Sequence, residues 1–135
     1  MIVADINLII YLLVKSPFTA QARRAFERDS DWVVPSMWRH EFINVMATSA
    51  REKKFSINDA CEKILIADRL VTERKDPLAD EEVIRLAVDH RIATYDCVYV
   101  LLGRRLGVRV VTQDRGMLSR FADTCVSITD FAAGS

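Results

Sequence analysis

The chain has 135 residues, of which 50% are hydrophobic and 28% charged, with 19 basic and 19 acidic side chains. This composition is typical of a small globular domain and excludes disordered and fibrous proteins. The balanced charge also excludes a global basic field, so any binding of nucleic acid must be local. The apolar runs are too short to cross a bilayer, and the N-terminus carries an acid where a signal peptide carries basic residues. We therefore expect a cytoplasmic protein that forms a single domain over residues 1–135.

The N-terminal segment predicts a strand, a carboxylate and a helix, in that order. A short apolar run ends at Asp5, and an apolar helical pattern continues to Leu13. Asn7 lies in the turn or in the first helical residues. Its amide is expected either to cap the backbone, which is the commoner use, or to hold the neighbouring acid.

A second helix and a second strand follow. The dipeptide SP at residues 16–17 predicts a helix start, and the helix is expected to extend over residues 18–29. Residues 32–35, WVVP, predict the second strand. The arginines of the helix are expected to lie in solvent: Arg23, Arg24 and Arg28.

Next comes a long helix with an apolar stripe, expected to be capped by Ser36 and to end near Lys53. Glu41 lies one turn into this helix, too far from Ser36 to complete a capping box. Phe42 and Ile43 follow it directly. The carboxylate is therefore either a plain surface group or one that needs a partner or a cation.

The helix after it opens with a capping-box pattern, SIND, at residues 56–59, and the two helices are expected to form an αα-hairpin. Both carry apolar residues beyond one narrow stripe. This second apolar face either forms a homodimer contact or packs inside one domain. Its residues are Ile43, Met46, Ile66 and Leu70.

The pattern then predicts a short third strand over residues 70–72, and a loop that leads into an acid-started helix. His90, near the end of that helix, is expected to pack or to interact with the helix dipole rather than to catalyse. Three cysteines, Cys61, Cys97 and Cys125, are odd in number, widely spaced and set among apolar residues. We expect reduced core thiols rather than disulfides or zinc ligands.

The segment over residues 94–114 predicts a buried helix followed by a strand covered on both faces. Thr94 is the expected cap, Asp96 lies in the first turn, and residues 103–105 close the helix. The run VRVV then forms the strand, and Asp114 follows it. A short helix over residues 116–122 and a final strand, CVSI, complete the chain.

Short strands that alternate with helices predict an α/β sandwich with a parallel sheet. In such sheets ligands bind outside the carboxyl ends of the strands, near the point where the strand order reverses. We therefore expect Asp5, Glu41 and Asp114 to converge at one edge, where Asp96 joins them from its helix start. Clustered carboxylates without histidine or cysteine select a hard cation, Mg²⁺ or Mn²⁺. Such a site suits hydrolysis of phosphodiester bonds.

The same residues also carry a resemblance to a known family. Over essentially its whole length the chain resembles a PIN-domain ribonuclease of the VapC toxin type, through four motifs in order. They are DIN with Asp5, HEFINVM with Glu41, TYDCVYVLLGRRLG with Asp96 and VVTQD with Asp114. The resemblance implies a PIN-like three-layer α/β/α sandwich with a central, mostly parallel five-stranded sheet.

The resemblance also implies an activity and partners. The implied activity is Mg²⁺- or Mn²⁺-dependent cleavage of RNA, in which the four acids are catalytic residues and metal ligands and Asn7 and Thr112 support them. The implied partners are a second copy of the chain, as a homodimer, and a cognate VapB-type antitoxin whose C-terminal segment fills the groove. The implied role is that of the toxin in a toxin-antitoxin module.

Phosphate contacts require basic residues near the acids, and four arginines lie close to the motif ends in sequence: Arg39, Arg91, Arg115 and Arg120. Trp38 is expected either to stack on a base or, more commonly, to lie in the core.

Two other enzyme classes with acidic pockets fit less well. A receiver domain needs paired acids after its first strand and a lysine after its fifth, and neither is present. A DxD phosphatase needs an acid where Asn7 stands. A PIN-like module that binds RNA or protein without cleaving it remains the alternative.

Overall fold

The computed structural model describes residues 1–134 and contains a five-stranded sheet surrounded by helices. The strands are β1 (Ile2–Ala4), β2 (Trp32–Pro35), β3 (Val71–Arg74), β4 (Val110–Thr112) and β5 (Cys125–Ser127). The first four helices are α1 (Ile6–Leu13), α2 (Thr19–Arg28), α3 (Trp38–Arg51) and α4 (Ile57–Leu70). The others are α5 (Asp80–His90), α6 (Thr94–Leu106), α7 (Arg115–Arg120) and α8 (Ile128–Ala132).

The strand order is β3-β2-β1-β4-β5, and every pair of neighbours is parallel. The chain builds outward from β1 to β3 and then crosses back to add β4 and β5 on the other side of β1. The strand order therefore reverses between β1 and β4, where Val3 pairs with Val110 and Ala4 with Val111. This is the position at which open α/β sheets form a ligand-binding crevice. The prediction that the Asp114 strand lies beside the first strand is confirmed.

Each face of the sheet is buried under helices. Ile2, Trp32 and Val111 point into one core, which α1, α2, α3 and α8 help to form. Val3, Val33 and Val110 point into the other, against residues of α6 and α7. β1, β2 and β4 are buried on both faces and therefore consist of continuous apolar runs rather than alternating ones, whereas the edge strand β3 is largely exposed and carries Glu73 and Arg74. The predicted three-layer α/β/α sandwich is confirmed.

Several predicted helix ends are wrong by a few residues. Ser36 does not cap α3, which begins after Met37 without a side-chain cap, and Thr94 is the first residue of α6 rather than its cap. Residues 103–105 do not close α6, which ends at Gly107 in the left-handed conformation with φ 68°. The predicted capping box of α4 is confirmed, because Ser56 accepts a hydrogen bond from the backbone of Asp59 and the Asp59 side chain bonds back.

The structure also tests the predictions made for three individual side chains, Cys61, Arg28 and His90. Cys61 is exposed rather than buried, although Cys97 and Cys125 lie in the core and all three are free thiols. Arg28 does not simply face solvent, because its guanidinium lies over the Phe131 ring at 4.4 Å and donates to the Phe131 carbonyl. His90 packs on Phe121, with ring centroids 4.7 Å apart, as the packing interpretation expected.

Two short elements have bounds that differ by a few residues from the predicted ones. The third strand covers Val71–Arg74 rather than residues 70–72, and α7 covers Arg115–Arg120 rather than residues 116–122. No helix within residues 1–134 is both long enough and apolar enough to span a bilayer.

Candidate active site

Asp5 follows β1 directly and caps α1. Its Oδ1 accepts a hydrogen bond from the Ile6 amide at 2.8 Å. Its Oδ2 accepts from the Thr112 hydroxyl at 2.5 Å and from the Asn7 amide at 3.1 Å. The residue is only 4% exposed. Three donors therefore hold the carboxylate in one orientation at the sheet edge.

Asn7 and Thr112 bridge the ends of the two central strands. Asn7 Nδ2 donates to Thr112 Oγ1 at 3.3 Å, and Asn7 Oδ1 accepts from the Gln113 amide at 3.2 Å. Thr112 Oγ1 also accepts from the Asp114 amide at 3.0 Å. The preferred expectation that Asn7 caps the helix is wrong, because Asp5 takes that role. Asn7 instead holds the neighbouring acid, which was the second interpretation.

Asp114 follows β4 and caps α7. Its Oδ1 accepts from the Met117 amide at 2.9 Å, and the residue is exposed. The Oδ2 atom makes no hydrogen bond within residues 1–134, so one oxygen positions the side chain and the other remains available.

Asp96 lies in the first turn of α6, and its half-buried carboxylate accepts no hydrogen bond from residues 1–134. Burial, and then the charges of Asp5 and Asp114, raise the pKa of Asp96 from 3.8 to about 6. An unpaired acid in such a position is costly to ionise.

Burial also raises the pKa of Asp5 to about 6. The hydrogen bonds from Thr112 and Ile6 oppose this rise, and the charges of Glu41 and Asp114 add to it. The negative charges of the neighbouring acids therefore add to the cost of ionising Asp5.

Glu41 points from α3 toward α6, where the Tyr99 hydroxyl donates to its Oε1 at 2.8 Å. Burial raises the pKa of the Glu41 carboxyl, the Tyr99 hydrogen bond lowers it and the charge of Asp96 raises it. Tyr99 is completely buried. Tyr99 was not predicted as a site residue, because it lies in the run CVYVLL, which is almost entirely apolar. Its position three residues after Asp96, on the same helix face, was the available signal.

The four predicted acids therefore influence one another electrostatically at one edge of the sheet. However, no three Asp, Glu, His or Cys side chains among residues 1–134 lie close enough together to hold a metal ion as they stand. The convergence expected from sequence is an electrostatic cluster rather than a closed set of ligands.

The chemistry of the donors nevertheless fits a hard cation. All four groups are carboxylates, and Asp96, Asp114 and Glu41 each retain an oxygen without a hydrogen bond from residues 1–134. Mg²⁺ keeps several waters and uses only one or two protein carboxylates in many sites, so a closed cage is not required. A divalent cation would also compensate for the burial and the repulsion that raise the pKa values of Asp5, Glu41 and Asp96.

The arginines proposed to contact RNA have varied surroundings. Arg39 forms an ion pair with Asp68 of α4 at 2.8 Å, and Arg120 donates to the His90 carbonyl at 2.7 Å. Arg91 ends α5 in the left-handed conformation and is exposed, as is Arg115, directly after the Asp114 carboxylate. Trp38 is 1% exposed and belongs to the core, so it is not positioned to stack on a base.

Comparisons with known proteins agree with this fold. The chain matches the PIN domain family over residues 2–124. It is similar to the crystal structure of PAE2754 from Pyrobaculum aerophilum, with a TM-score of 0.78 and 20% sequence identity. That match covers 97% of this chain and 85% of the other chain, and at this identity it shows the fold alone. No curated protein matches the chain. The family match covers most of the sequence, and the chain therefore belongs to the PIN domain family, whose fold is of the nuclease type.

Proposed function

We propose that the chain is a metal-dependent ribonuclease that hydrolyses RNA phosphodiester bonds. The observation that carries the proposal is the group of neighbouring carboxylates at the edge of the sheet where the strand order reverses. Burial and then mutual repulsion raise the pKa values of Asp5 and Asp96 to about 6. Such a cluster is unfavourable without a cation, and PIN domains typically use divalent metal ions. The family match supports the nuclease class.

In this proposal Asp5, Glu41, Asp96 and Asp114 hold Mg²⁺ or Mn²⁺. When bound, the cation supplies Lewis-acid chemistry that favours an attacking hydroxide and stabilises the leaving alkoxide. The surrounding residues orient the acids through hydrogen bonds. Thr112 and Asn7 fix the Oδ2 atom of Asp5, and the Met117 amide fixes one oxygen of Asp114.

The test is RNA cleavage by the purified protein, with and without Mn²⁺ or Mg²⁺. Asp96→Asn is the most informative variant, because this carboxylate accepts no hydrogen bond within residues 1–134 and we expect its replacement to leave the fold intact. Asp89→Asn, on the exposed surface of α5, is the matched control. We expect metal-dependent cleavage that Asp96→Asn abolishes and Asp89→Asn preserves. Cleavage in EDTA, or unchanged cleavage by Asp96→Asn, would show that the proposal is wrong.

The second candidate is a PIN-like module that binds RNA or protein without cleaving it. The absence of three converging metal-binding side chains in residues 1–134 favours this candidate. The same assay decides between the two, because a silent module binds RNA or protein but leaves RNA intact at every Mn²⁺ concentration.

We further propose a cytoplasmic VapC-type toxin that forms a homodimer and is inhibited by a VapB-type antitoxin. An apolar groove of about 430 Å³ between α3 and α4 supports a partner-binding role for this hairpin. Ile43 and Ile66 are 48% and 47% exposed, whereas Met46 is buried. Ile43 lines this groove, so light scattering of the wild type and of Ile43→Lys tests the homodimer. We expect a dimer that the lysine converts to a monomer.

A further inference from the structure

A concave site lies at the same edge of the sheet as the candidate active site. It is a cavity of about 700 Å³ at the carboxyl ends of β2 and β3, lined by Pro35 and Arg74 and by residues of α5 and α6. Two of its wall residues, Thr94 and Tyr95, directly precede Asp96 in the first turn of α6. Met37, another wall residue, directly precedes α3, the helix that carries Glu41. Residues of the cavity wall therefore lie within four positions of Glu41 and directly before Asp96 in the sequence.

The walls of this cavity combine an apolar surface with one exposed aromatic ring. Leu78, Val83, Val98 and Leu102 supply apolar wall. Tyr95 is 62% exposed, whereas Tyr99, one turn further along α6, is fully buried. An exposed aromatic ring at the edge of an apolar cavity offers a stacking surface for a nucleobase.

The cavity also contains polar groups, and its charged lining residues are two cations, Arg74 and Lys75, and two carboxylates, Asp76 and Asp80. The hydroxyls of Ser36 and Thr94 make no hydrogen bond within residues 1–134, and they are available to the edge of a base. Arg74 is held by Asp76 through two hydrogen bonds of 2.9 and 3.2 Å, so these two charges neutralise each other. The exposed Lys75 ammonium forms no ion pair within residues 1–134 and is available to a phosphate.

We propose that this cavity binds the base of an RNA nucleotide that flanks the scissile phosphodiester, with Tyr95 stacked on the base and Lys75 on a phosphate. The proposal rests on the ribonuclease function proposed above and names a subsite for its substrate. Concave apolar sites with a few convergent polar groups, at the carboxyl ends of parallel strands, are the usual ligand sites of such sheets. The position next to Asp96 and Glu41 favours a nucleotide of the substrate over a separate ligand.

The experiment measures binding of a short oligoribonucleotide that contains 2-aminopurine, whose fluorescence is quenched on stacking. Binding is measured in EDTA, so that it does not depend on cleavage. We expect Tyr95→Ala to weaken binding about tenfold and to reduce the quenching. Tyr95→Phe retains the stacking ring and is expected to bind like the wild type. Leu65→Ala removes another exposed apolar side chain, on α4 away from the cavity, and is the matched control.

Lys75→Ala tests the phosphate contact separately. It is expected to reduce the slope of log affinity against log salt concentration by about one. An unchanged slope would remove Lys75 from the site.

Two outcomes would overturn the subsite: unchanged affinity of Tyr95→Ala for RNA, or no RNA binding by the wild type. If Tyr95→Ala keeps its RNA affinity but loses the mass of a dimer in light scattering, the cavity belongs to an interface with a second copy of the chain. Parallel cleavage assays in Mn²⁺ separate this proposal from the ribonuclease function. Cleavage with an unchanged KM in Tyr95→Ala leaves the function standing and rejects the subsite. Stacking-dependent binding without cleavage supports the subsite and rejects the function.

Discussion

The Tyr99 hydroxyl donates a hydrogen bond to Glu41 Oε1 at 2.8 Å, joining α6 to α3 across 58 residues of sequence. Burial, and then the charges of Glu41 and Asp5, raise the pKa of Tyr99 far above its ordinary value, so the hydroxyl keeps its proton and remains a donor. One oxygen of Glu41 is thereby fixed, and the other makes no hydrogen bond within residues 1–134. The pair links two helices that each carry an acid of the candidate site.

Tyr99→Phe removes this hydrogen-bond donor and keeps the buried aromatic ring. The Tyr99 hydrogen bond lowers the pKa of Glu41, so its loss is expected to raise that pKa further and to shift the acidic limb of the pH–rate profile to higher pH. We expect the rate of RNA cleavage to fall about tenfold, since a hydrogen bond to a charged group contributes about 1.5–3 kcal/mol. Tyr11→Phe is the control, because the Tyr11 ring stacks on Phe18 and its hydroxyl makes no hydrogen bond within residues 1–134. A pH profile identical to that of the wild type would show that Tyr99 does not position Glu41.

Asp96→Asn is expected to stabilise the protein in EDTA. The pKa of Asp96 is about 6 in the folded protein and 3.8 ordinarily, so folding favours the protonated form. Below about pH 4 the acid is protonated in both states and costs nothing, and above about pH 6 the full destabilisation is present. The gain from Asp96→Asn therefore grows between these values. For this half-exposed group we expect roughly 1 kcal/mol at neutral pH.

Thermal unfolding of the two proteins from pH 4 to pH 8 measures this difference. Asp89→Asn, which removes an exposed acid of α5, is expected to change the Tm little at any pH. If Asp96→Asn were less stable than the wild type at pH 7.5 in EDTA, the account of Asp96 as a partly buried carboxylate that is costly to ionise would be wrong.

Thr112→Val removes the hydroxyl that donates to Asp5 and accepts from Asn7 and Asp114. Thr112 is completely buried, so the substitution leaves donors and acceptors unsatisfied. We expect a loss of about 1–3 kcal/mol in the free energy of unfolding, measured by urea titration. Thr112→Ser keeps the hydroxyl and is expected to lose less, and equal losses in the two variants would contradict a hydrogen-bonding role.

Gly103→Ala is expected to destabilise the fold because α6 packs closely on β4. A Cβ atom at position 103 would lie 2.7 Å from Val110 Cγ2, a contact that requires a buried, branched side chain to shift. Overpacking of this kind costs about 1–3 kcal/mol. In a double-mutant cycle, Val110→Ala is expected to offset part of that loss, and strictly additive effects would show that this contact is not the cause.

The positions of the acids were predictable because they depend on topology. A short apolar strand followed by Asp5, and another followed by Asp114, are expected to meet once the sheet is known to be parallel. Asp96 and Glu41 followed from their places near helix starts. The three layers and the parallel sheet depend on the same alternation of strands and helices, and the structure confirms them.

What was not predictable depends on long-range contacts. Tyr99 has a polar partner that lies 58 residues away, so its apolar neighbours gave no sign of it. Gly103 resembled a helix end, whereas the structure uses it for close packing on β4, and Gly107 ends the helix instead. Cys61 is exposed and lines the groove between α3 and α4, because the neighbouring helix does not cover its position.

The most direct test of the central claim is the anomalous diffraction of crystals soaked in Mn²⁺. The account predicts one or two anomalous peaks among the carboxylates of Asp5, Glu41, Asp96 and Asp114, removed by EDTA and weakened in crystals of Asp96→Asn. Mn²⁺ peaks only at other surfaces, or none at a concentration that supports cleavage, would contradict it.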